Sequence, residues 1–261
     1  DVREEKGLYL ISMEMMDSGT VEDRVAKDGP LPIADVVRIA RDAAQGLVYA
    51  EKKGIVHRDI KPDNLMLNAE GTTKISDLGL ARAASSEVGQ EGEEGIFGTP
   101  HFIAPEQAQG KAVDWRSDIY SLGASLYRLV SGTTPFRGDS VGEIIRQQIN
   151  DEPDDLREHR SDCPSDLADL ISVMMAKDPA DRFENAEALA TAVNTLSESG
   201  TISSGGGKTG LIASGLAVLV LGGGAAWFFT RHDETPDKPT PPPTNVGETN
   251  PTGNNGTGET G

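Results

Sequence analysis

The side chains of this chain that could do chemistry are concentrated in three short motifs. Residues 57–64 read His-Arg-Asp-Ile-Lys-Pro-Asp-Asn, residues 77–79 read Asp-Leu-Gly, and residues 104–106 read Ala-Pro-Glu. Carboxylates, an amide and cations close together are the groups that proton transfer and phosphate binding require. Either triplet alone would arise by chance, but their joint occurrence in this order is not accidental. The alternative interpretation is that Arg58 and Asp59 merely cap a surface turn.

Together the motifs resemble the catalytic loop, the metal-binding triplet and the end of the activation segment of the eukaryotic-like protein kinases, most closely the bacterial serine/threonine kinases. The resemblance implies transfer of the γ-phosphoryl group of ATP to Ser or Thr hydroxyls of protein substrates, with ATP and Mg²⁺ as cofactors. By this resemblance Asp59 accepts the hydroxyl proton, and Lys61 neutralises charge on the transferred group. Asn64 and Asp77 hold Mg²⁺, an ion that prefers oxygen ligands.

The same resemblance implies an adenine pocket. Residues 13–19, Met-Glu-Met-Met-Asp-Ser-Gly, are similar to the hinge between the two kinase lobes. The backbone of Glu14 and Met16 would hydrogen-bond adenine, Met13 would stand at the back of the pocket, and Met66 would lie under the base. From the residues alone, ordinary core packing is the favoured interpretation of the methionine cluster in the hinge.

The activation segment, residues 77–106, contains Ser85 and Ser86, followed by glutamates at 87, 91, 93 and 94. In the family that the chain resembles, Arg58 grips a phosphorylated activation segment, since a guanidinium pairs well with phosphate. We expect Arg58 to meet phosphorylated Ser85 or Ser86, or a glutamate in place of phosphate. A solvated acidic loop is the alternative. Thr99 would hydrogen-bond the catalytic loop.

Three further residues have structural roles by resemblance. Glu106 and Arg182 match the carboxylate and arginine that pair in kinases, and Asp118 matches the buried aspartate that holds the catalytic-loop backbone. A surface role for Asp118 or Arg182 is the alternative.

Sequence patterns predict the elements that position these residues. Residues 8–13 read as a strand entered from a polar hairpin turn at 3–7, and 65–67 and 73–76 as a second hairpin. Apolar residues at three- and four-residue steps predict a long helix from Ile33 that ends at Gly54. Other helices are predicted at 20–28, 118–130, 141–150, 165–176 and 185–196. The predicted fold is α+β and protein-kinase-like: mainly the helical C-terminal lobe, with the last small-lobe strand and the hinge, plus one transmembrane helix.

Composition narrows the function further. The net charge of −18 argues against a nucleic-acid binder, because binding phosphates needs a positive surface. Cys163 is the only cysteine, so no internal disulfide can form, and the four histidines are too scattered to predict a zinc site. The first residue is Asp1 and no leader precedes it, so we expect the sequence to begin inside a longer chain.

Beyond the predicted kinase domain, 1–196, the composition changes. Residues 197–208 are a Ser- and Gly-rich linker, 209–230 contain no charge, and 231–261 form a Pro-, Thr-, Gly- and Asn-rich tail predicted to be disordered. As a helix, 211–229 would be about 28 Å long, which suits a single membrane span. A buried soluble helix is the alternative. The basic residues on either side of the predicted span do not favour a kinase domain in the cytoplasm. Because ATP is in the cytoplasm, we nevertheless expect the kinase domain there and the C-terminal tail outside the cell. Small residues such as Gly215 would allow a homodimer of such helices.

One part of the family pattern is absent from residues 1–261. No glycine-rich loop, strand lysine or preceding helix glutamate stands before the hinge, and these parts orient the triphosphate. We therefore expect this polypeptide to transfer phosphate little or not at all. We expect the longer parent protein to be active, because every catalytic position that is present carries a competent residue. The competing hypothesis is a non-catalytic kinase-like receptor or scaffold, although a scaffold has no chemical need for Asp59, Lys61, Asn64 and Asp77 together.

Overall fold

The computed structural model describes residues 2–5, 8–77 and 100–198. An antiparallel hairpin comes first, in which β1 (Val2–Glu5) pairs with β2 (Leu8–Ile11). The sequence placed a polar turn over 3–7, and this was wrong for most of that stretch. Backbone hydrogen bonds to β2 make residues 3–5 a strand although their side chains are charged and exposed.

Two helices carry the chain to the catalytic loop. Helix α1 (Val21–Asp28) begins with a capping box, in which Thr20 and Asp23 each accept a hydrogen bond from the other's backbone N–H. Helix α2 (Ile33–Lys52) follows Pro32 and buries one face, as its apolar periodicity predicts. The helix ends at Lys52, slightly before the predicted Gly54, which takes a left-handed φ of 66° directly after the helix.

A short hairpin frames the chemistry-bearing residues. A turn of 3₁₀ helix (Pro62–Asn64) leads into β3 (Leu65–Leu67), which pairs antiparallel with β4 (Thr73–Ile75). Leu65 lies opposite Ile75 in this register. Two backbone hydrogen bonds attach the end of the predicted hinge to β3. Ser18 N donates to Leu67 O at 3.1 Å, and Leu67 N donates to Gly19 O at 2.9 Å.

The rest of the described chain is helical. The helix Trp115–Ser131 supplies the centre of the core, since almost every residue from Ser117 to Val130 is buried. Helix α2 and the helices Ser165–Met174 and Ala186–Glu198 pack against it. The prediction for 141–150 is confirmed, while the central helix begins earlier than predicted because Asp114 caps it through Arg116 N. The helices are α3 (Pro105–Ala108), α4 (Trp115–Ser131), α5 (Val141–Asn150), α6 (Leu156–His159), α7 (Ser165–Met174) and α8 (Ala186–Glu198).

Among the residues described, no helix is both long and apolar enough to cross a bilayer. The predicted span at 209–230 and the predicted tail at 231–261 lie outside these residues. Of the linker predicted at 197–208, residues 197 and 198 are described, and they belong to the last helix instead. The described residues all belong to the first of two compact units, Asp1–Leu211.

Candidate active site

A buried carboxylate holds the start of the catalytic loop. Asp118, on α4, accepts hydrogen bonds from the backbone N–H groups of His57 at 2.7 Å and Arg58 at 2.8 Å, one on each oxygen. Burial raises the pKa of the Asp118 carboxyl, and the two N–H groups act in the opposite direction. Because α4 is the centre of the core, Asp118 attaches the catalytic loop directly to the buried interior of the fold.

The ring of His57 ties this loop to the chain that precedes Asp77. His57 Nε2 lies 2.7 Å from the carbonyl oxygen of Ser76, and Asp59 N donates to His57 Nδ1 at 3.3 Å. Since Nδ1 accepts, the ring proton sits on Nε2 and is donated to Ser76 O. Sequence reasoning assigned no role to His57, although it opens the first motif and is buried.

Three of the predicted catalytic residues converge. Lys61 Nζ lies 3.1 Å from Asp59 Oδ2, and Asn64 Nδ2 donates to the same oxygen at 3.1 Å and to the Asp59 backbone carbonyl at 2.7 Å. The extended Lys61 and the 3₁₀ turn after it fold the chain back, so that Asn64 reaches Asp59. The arrangement places a proton acceptor, a cation and an amide in contact.

The second hairpin places Asp77 beside this cluster. Ser76 N donates to the Asn64 carbonyl at 2.9 Å, and Ser76 Oγ donates to the same carbonyl at 3.3 Å, so Asp77 directly follows a residue bonded to Asn64. Asn64 uses its amide nitrogen on Asp59, which leaves its amide oxygen for another partner. An amide oxygen and the exposed Asp77 carboxylate are hard oxygen donors and fit Mg²⁺.

A buried ion pair fixes the end of the activation segment. Arg182 donates from its two terminal nitrogens to the two oxygens of Glu106, at 2.7 and 2.8 Å, and Ser117 Oγ donates to Glu106 at 2.5 Å. Burial alone would raise the pKa of Glu106, but the hydrogen bonds from Arg182 and Ser117 outweigh it and hold that pKa below its ordinary value. The Arg182 side chain is 0 % exposed, so loss of either partner would leave the other as an unpaired buried charge.

Gln107 is a further residue that sequence reasoning missed. Its Nε2 donates to the Arg58 carbonyl at 2.9 Å and so joins α3 to the catalytic loop. The only sequence signal for this role was the position of Gln107 directly after Glu106. A glutamine in a sequence does not by itself predict a hydrogen-bond partner that lies 49 positions away.

The predicted adenine-pocket residues differ in how far they are buried. Met13 is 79 % exposed, and Glu14 forms an ion pair with Lys74 on β4. Met16 is half-buried, and Met66, also half-buried, lies on β3 next to Thr20. Ser85, Ser86 and Thr99, and hence the predicted partners of Arg58, lie outside the described residues.

The family model described as "Protein kinase domain" matches residues 1–193. The chain is 37 % identical over 179 residues to the serine/threonine-protein kinase PknB of Mycobacterium leprae and 36 % identical over 180 residues to PknB of Mycolicibacterium smegmatis, in each case over 69 % of this chain and 29 % of the relative.

A third relative is the serine/threonine-protein kinase PknL of Mycobacterium tuberculosis, 34 % identical over 190 residues, which cover 72 % of this chain and 47 % of PknL. The chain thus spans less than a third of both PknB relatives and about half of PknL. The family match covers all the residues that form the site above. The chain therefore belongs to the protein kinase family.

Proposed function

We propose that this chain carries the catalytic lobe of a serine/threonine protein kinase, which transfers the γ-phosphoryl group of ATP to hydroxyls of protein substrates. The contact of Asp59 with Lys61 and Asn64, beside Asp77, carries the proposal. The names of the relatives support the choice of serine and threonine, and Lys61 is the residue usual at its position in kinases of that specificity.

Each group has one task. Asp59 accepts the proton of the substrate hydroxyl, and Lys61 offsets negative charge on the transferring phosphoryl. Asn64 and Asp77 would hold Mg²⁺, and the ion would supply positive charge to offset that of the phosphate groups. Glu14, Met16, Met13 and Met66 contact adenine, and phosphorylated Ser85 or Ser86, or a nearby glutamate, meets Arg58. Thr99 bonds the catalytic loop.

The test is transfer of radiolabelled phosphate from ATP to dephosphorylated casein by the full-length protein. Asp59→Asn should lower kcat by about 10²–10⁴-fold, because an amide cannot accept the proton. Asp63→Asn is the matched control: it makes the same change in the same loop at an exposed side chain. Equal activity of the two variants would refute the assignment, as would label found on tyrosine instead of serine or threonine.

The competing function is a non-catalytic receptor or scaffold. Residues 1–261 contain no glycine-rich loop or strand lysine, so we propose that the 261-residue polypeptide itself transfers little phosphate. A full-length protein that binds ATP without transferring phosphate would favour the scaffold.

We further propose a single-pass membrane anchor at 209–230, with the kinase in the cytoplasm and the tail at 231–261 outside, and pairing of two spans into a homodimer. The absence of charge in 209–230 supports the anchor, and the glycines support pairing. Recovery of the chain in a carbonate-washed membrane fraction, and of a chain ending at 208 in the soluble fraction, is expected. Protease added outside cells should remove only the tail.

A further inference from the structure

A buried polar cluster contacts the activation segment near its C-terminal end, at Pro100. It consists of Tyr120 on α4, Gln148 on α5 and Lys177, which follows α7. Tyr120 Oη donates to Gln148 Oε1 at 2.6 Å, while Lys177 Nζ donates to the Gln148 carbonyl at 2.9 Å and to Tyr120 Oη at 3.3 Å. None of these three residues has a role in the proposed chemistry.

The amide of Gln148 is the centre of the cluster. Gln148 is 0 % exposed, and a buried amide is costly unless its polar atoms are all bonded. The side-chain oxygen of Gln148 accepts the hydrogen bond from Tyr120, and the side-chain nitrogen of Gln148 donates to the Pro100 carbonyl at 3.2 Å. The side chain is therefore a bridge between the helical core and residue 100, the residue directly after Thr99.

The neighbouring residue is held as well. His101 Nδ1 lies 3.2 Å from the Phe136 carbonyl, and the Lys177 ammonium lies 4.4 Å from the centre of the Phe136 ring. At the other end of the same segment, Gln107 bonds the Arg58 carbonyl. Residues 100–107 are thus fastened to α5 at one end and to the catalytic loop at the other.

We propose that Gln148 is a positioning residue for the protein substrate. Because Gln107 bonds the carbonyl of Arg58, the residue before Asp59, a substrate whose hydroxyl reaches Asp59 must pass beside residues 100–107. By holding Pro100, Gln148 fixes the position of that segment relative to Asp59. Gln148 does not touch the reacting atoms and acts through Pro100. The part of this proposal that concerns the substrate rests on the proposed function, whereas the fastening of Pro100 does not.

Hydrogen–deuterium exchange of the 261-residue chain tests the fastening without any need for activity. Gln148→Met removes both side-chain bonds, whereas Gln148→Glu keeps an acceptor for Tyr120 but has no N–H for Pro100. Gln147→Met is the matched control, because the neighbouring Gln147 is only half-buried and donates to the Arg137 carbonyl instead of to Pro100. We expect exchange at 101–104 to accelerate about tenfold in both Gln148 variants, as for the loss of one hydrogen bond, and to be unchanged in Gln147→Met.

The substrate part is tested by kinetics of the full-length protein. The KM for casein should rise about tenfold in both Gln148 variants, while the KM for ATP stays at the Gln147→Met value. Equal exchange at 101–104 in all variants would overturn the fastening, and an unchanged casein KM in an active enzyme would overturn positioning. Accelerated exchange in a protein without phosphotransfer would instead refute the proposed function. Loss of the fold in both Gln148 variants would make Gln148 a purely structural residue and would also overturn the proposal.

Discussion

Two residues of the site, Arg58 and Asp77, adopt left-handed backbone conformations, with φ of 68° and 59°. Such a conformation costs a non-glycine residue roughly 1 kcal/mol or more, so surrounding bonds must impose it. Asp118 holds Arg58 N, Gln107 holds the Arg58 carbonyl, and His57 bonds the residue before Asp77. The reactive side chains thus gain their directions from residues that perform no chemistry.

Lys177 provides a prediction at the same scale. Burial lowers the pKa of its ammonium from 10.5 to about 8, and the nearby Arg182 acts in the same direction, against Glu152 and Asp151. Between these two values the unfolded chain binds the proton and the folded chain does not, so folding becomes more favourable as pH rises. Relative to Lys177→Met, the wild type should gain about 1 kcal/mol in free energy of unfolding between pH 7 and 9.5, allowing for solvent screening.

Urea titrations of both proteins at the two pH values provide the measurement, and groups other than Lys177 cancel in the difference. A difference that stays constant or falls with pH would show that the Lys177 ammonium is not destabilised by burial.

At the scale of elements, close helix packing determines how the site is supported. Helix α4 approaches α7 at Gly123, where a Cβ atom would lie 2.8 Å from Met174 Cβ and 3.0 Å from Met175 Cγ. Met174 Cβ is tied to the backbone of α7, so the helices could accept a larger residue only by moving apart. Helix α4 also carries Asp118, which holds the backbone of the catalytic loop. Close packing of α4 against α7 therefore also fixes the position of that loop.

Gly123→Ala should therefore lower the free energy of unfolding by about 1–3 kcal/mol, although alanine favours a helix. Gly142→Ala, at a helical glycine of α5 with nothing within 4 Å of a built Cβ, should raise it by about 0.5 kcal/mol. Opposite signs in denaturant unfolding are expected. A stabilising Gly123→Ala would refute the close contact.

The ion pair of Glu106 and Arg182 joins α3 to the chain before α8. Because both side chains are buried, Arg182→Met alone should cost about 3–5 kcal/mol by leaving an unpaired carboxylate. Adding Glu106→Leu should recover a large part of that loss, since no charge is then buried. A double-mutant cycle in urea measures the coupling, and purely additive losses would contradict the pairing.

At the scale of the molecule, the described part of the chain has one hydrophobic core, whose buried residues run from Val21 to Val193. The loop bearing Asp59 and the hairpin before Asp77 attach to this core through α2 and α4. In the β1–β2 hairpin, the side chains whose burial the structure describes, at 3–5 and 8–10, are all exposed, with Leu8 and Tyr9 at 67 % and 75 %. The catalytic loop and the hairpin before Asp77 are therefore supported by the core and not by these exposed side chains.

A polypeptide of residues 17–198 should consequently fold by itself. We expect one cooperative urea transition, and slow amide exchange at His57 and Arg58 equal to that of the 261-residue chain, because Asp118 holds both N–H groups. Fast exchange at these amides in the shorter polypeptide would show that the loop depends on residues outside the core.

The sequence by itself determined the locally encoded features: the apolar face of α2, the short helix predicted at 20–28 and the helix at 141–150. Each of these features depends on residues only a few positions apart, so the apolar periodicity and the residues at the helix ends can be read directly from the sequence. The motif residues were recognisable by resemblance, which also implied the pairing of Glu106 with Arg182. Only the tertiary structure decided the ties from His57 to Ser76, Gln107 to Arg58 and Gln148 to Pro100. Such ties join distant positions through side chains of ordinary type, and folding alone brings those atoms within hydrogen-bonding distance.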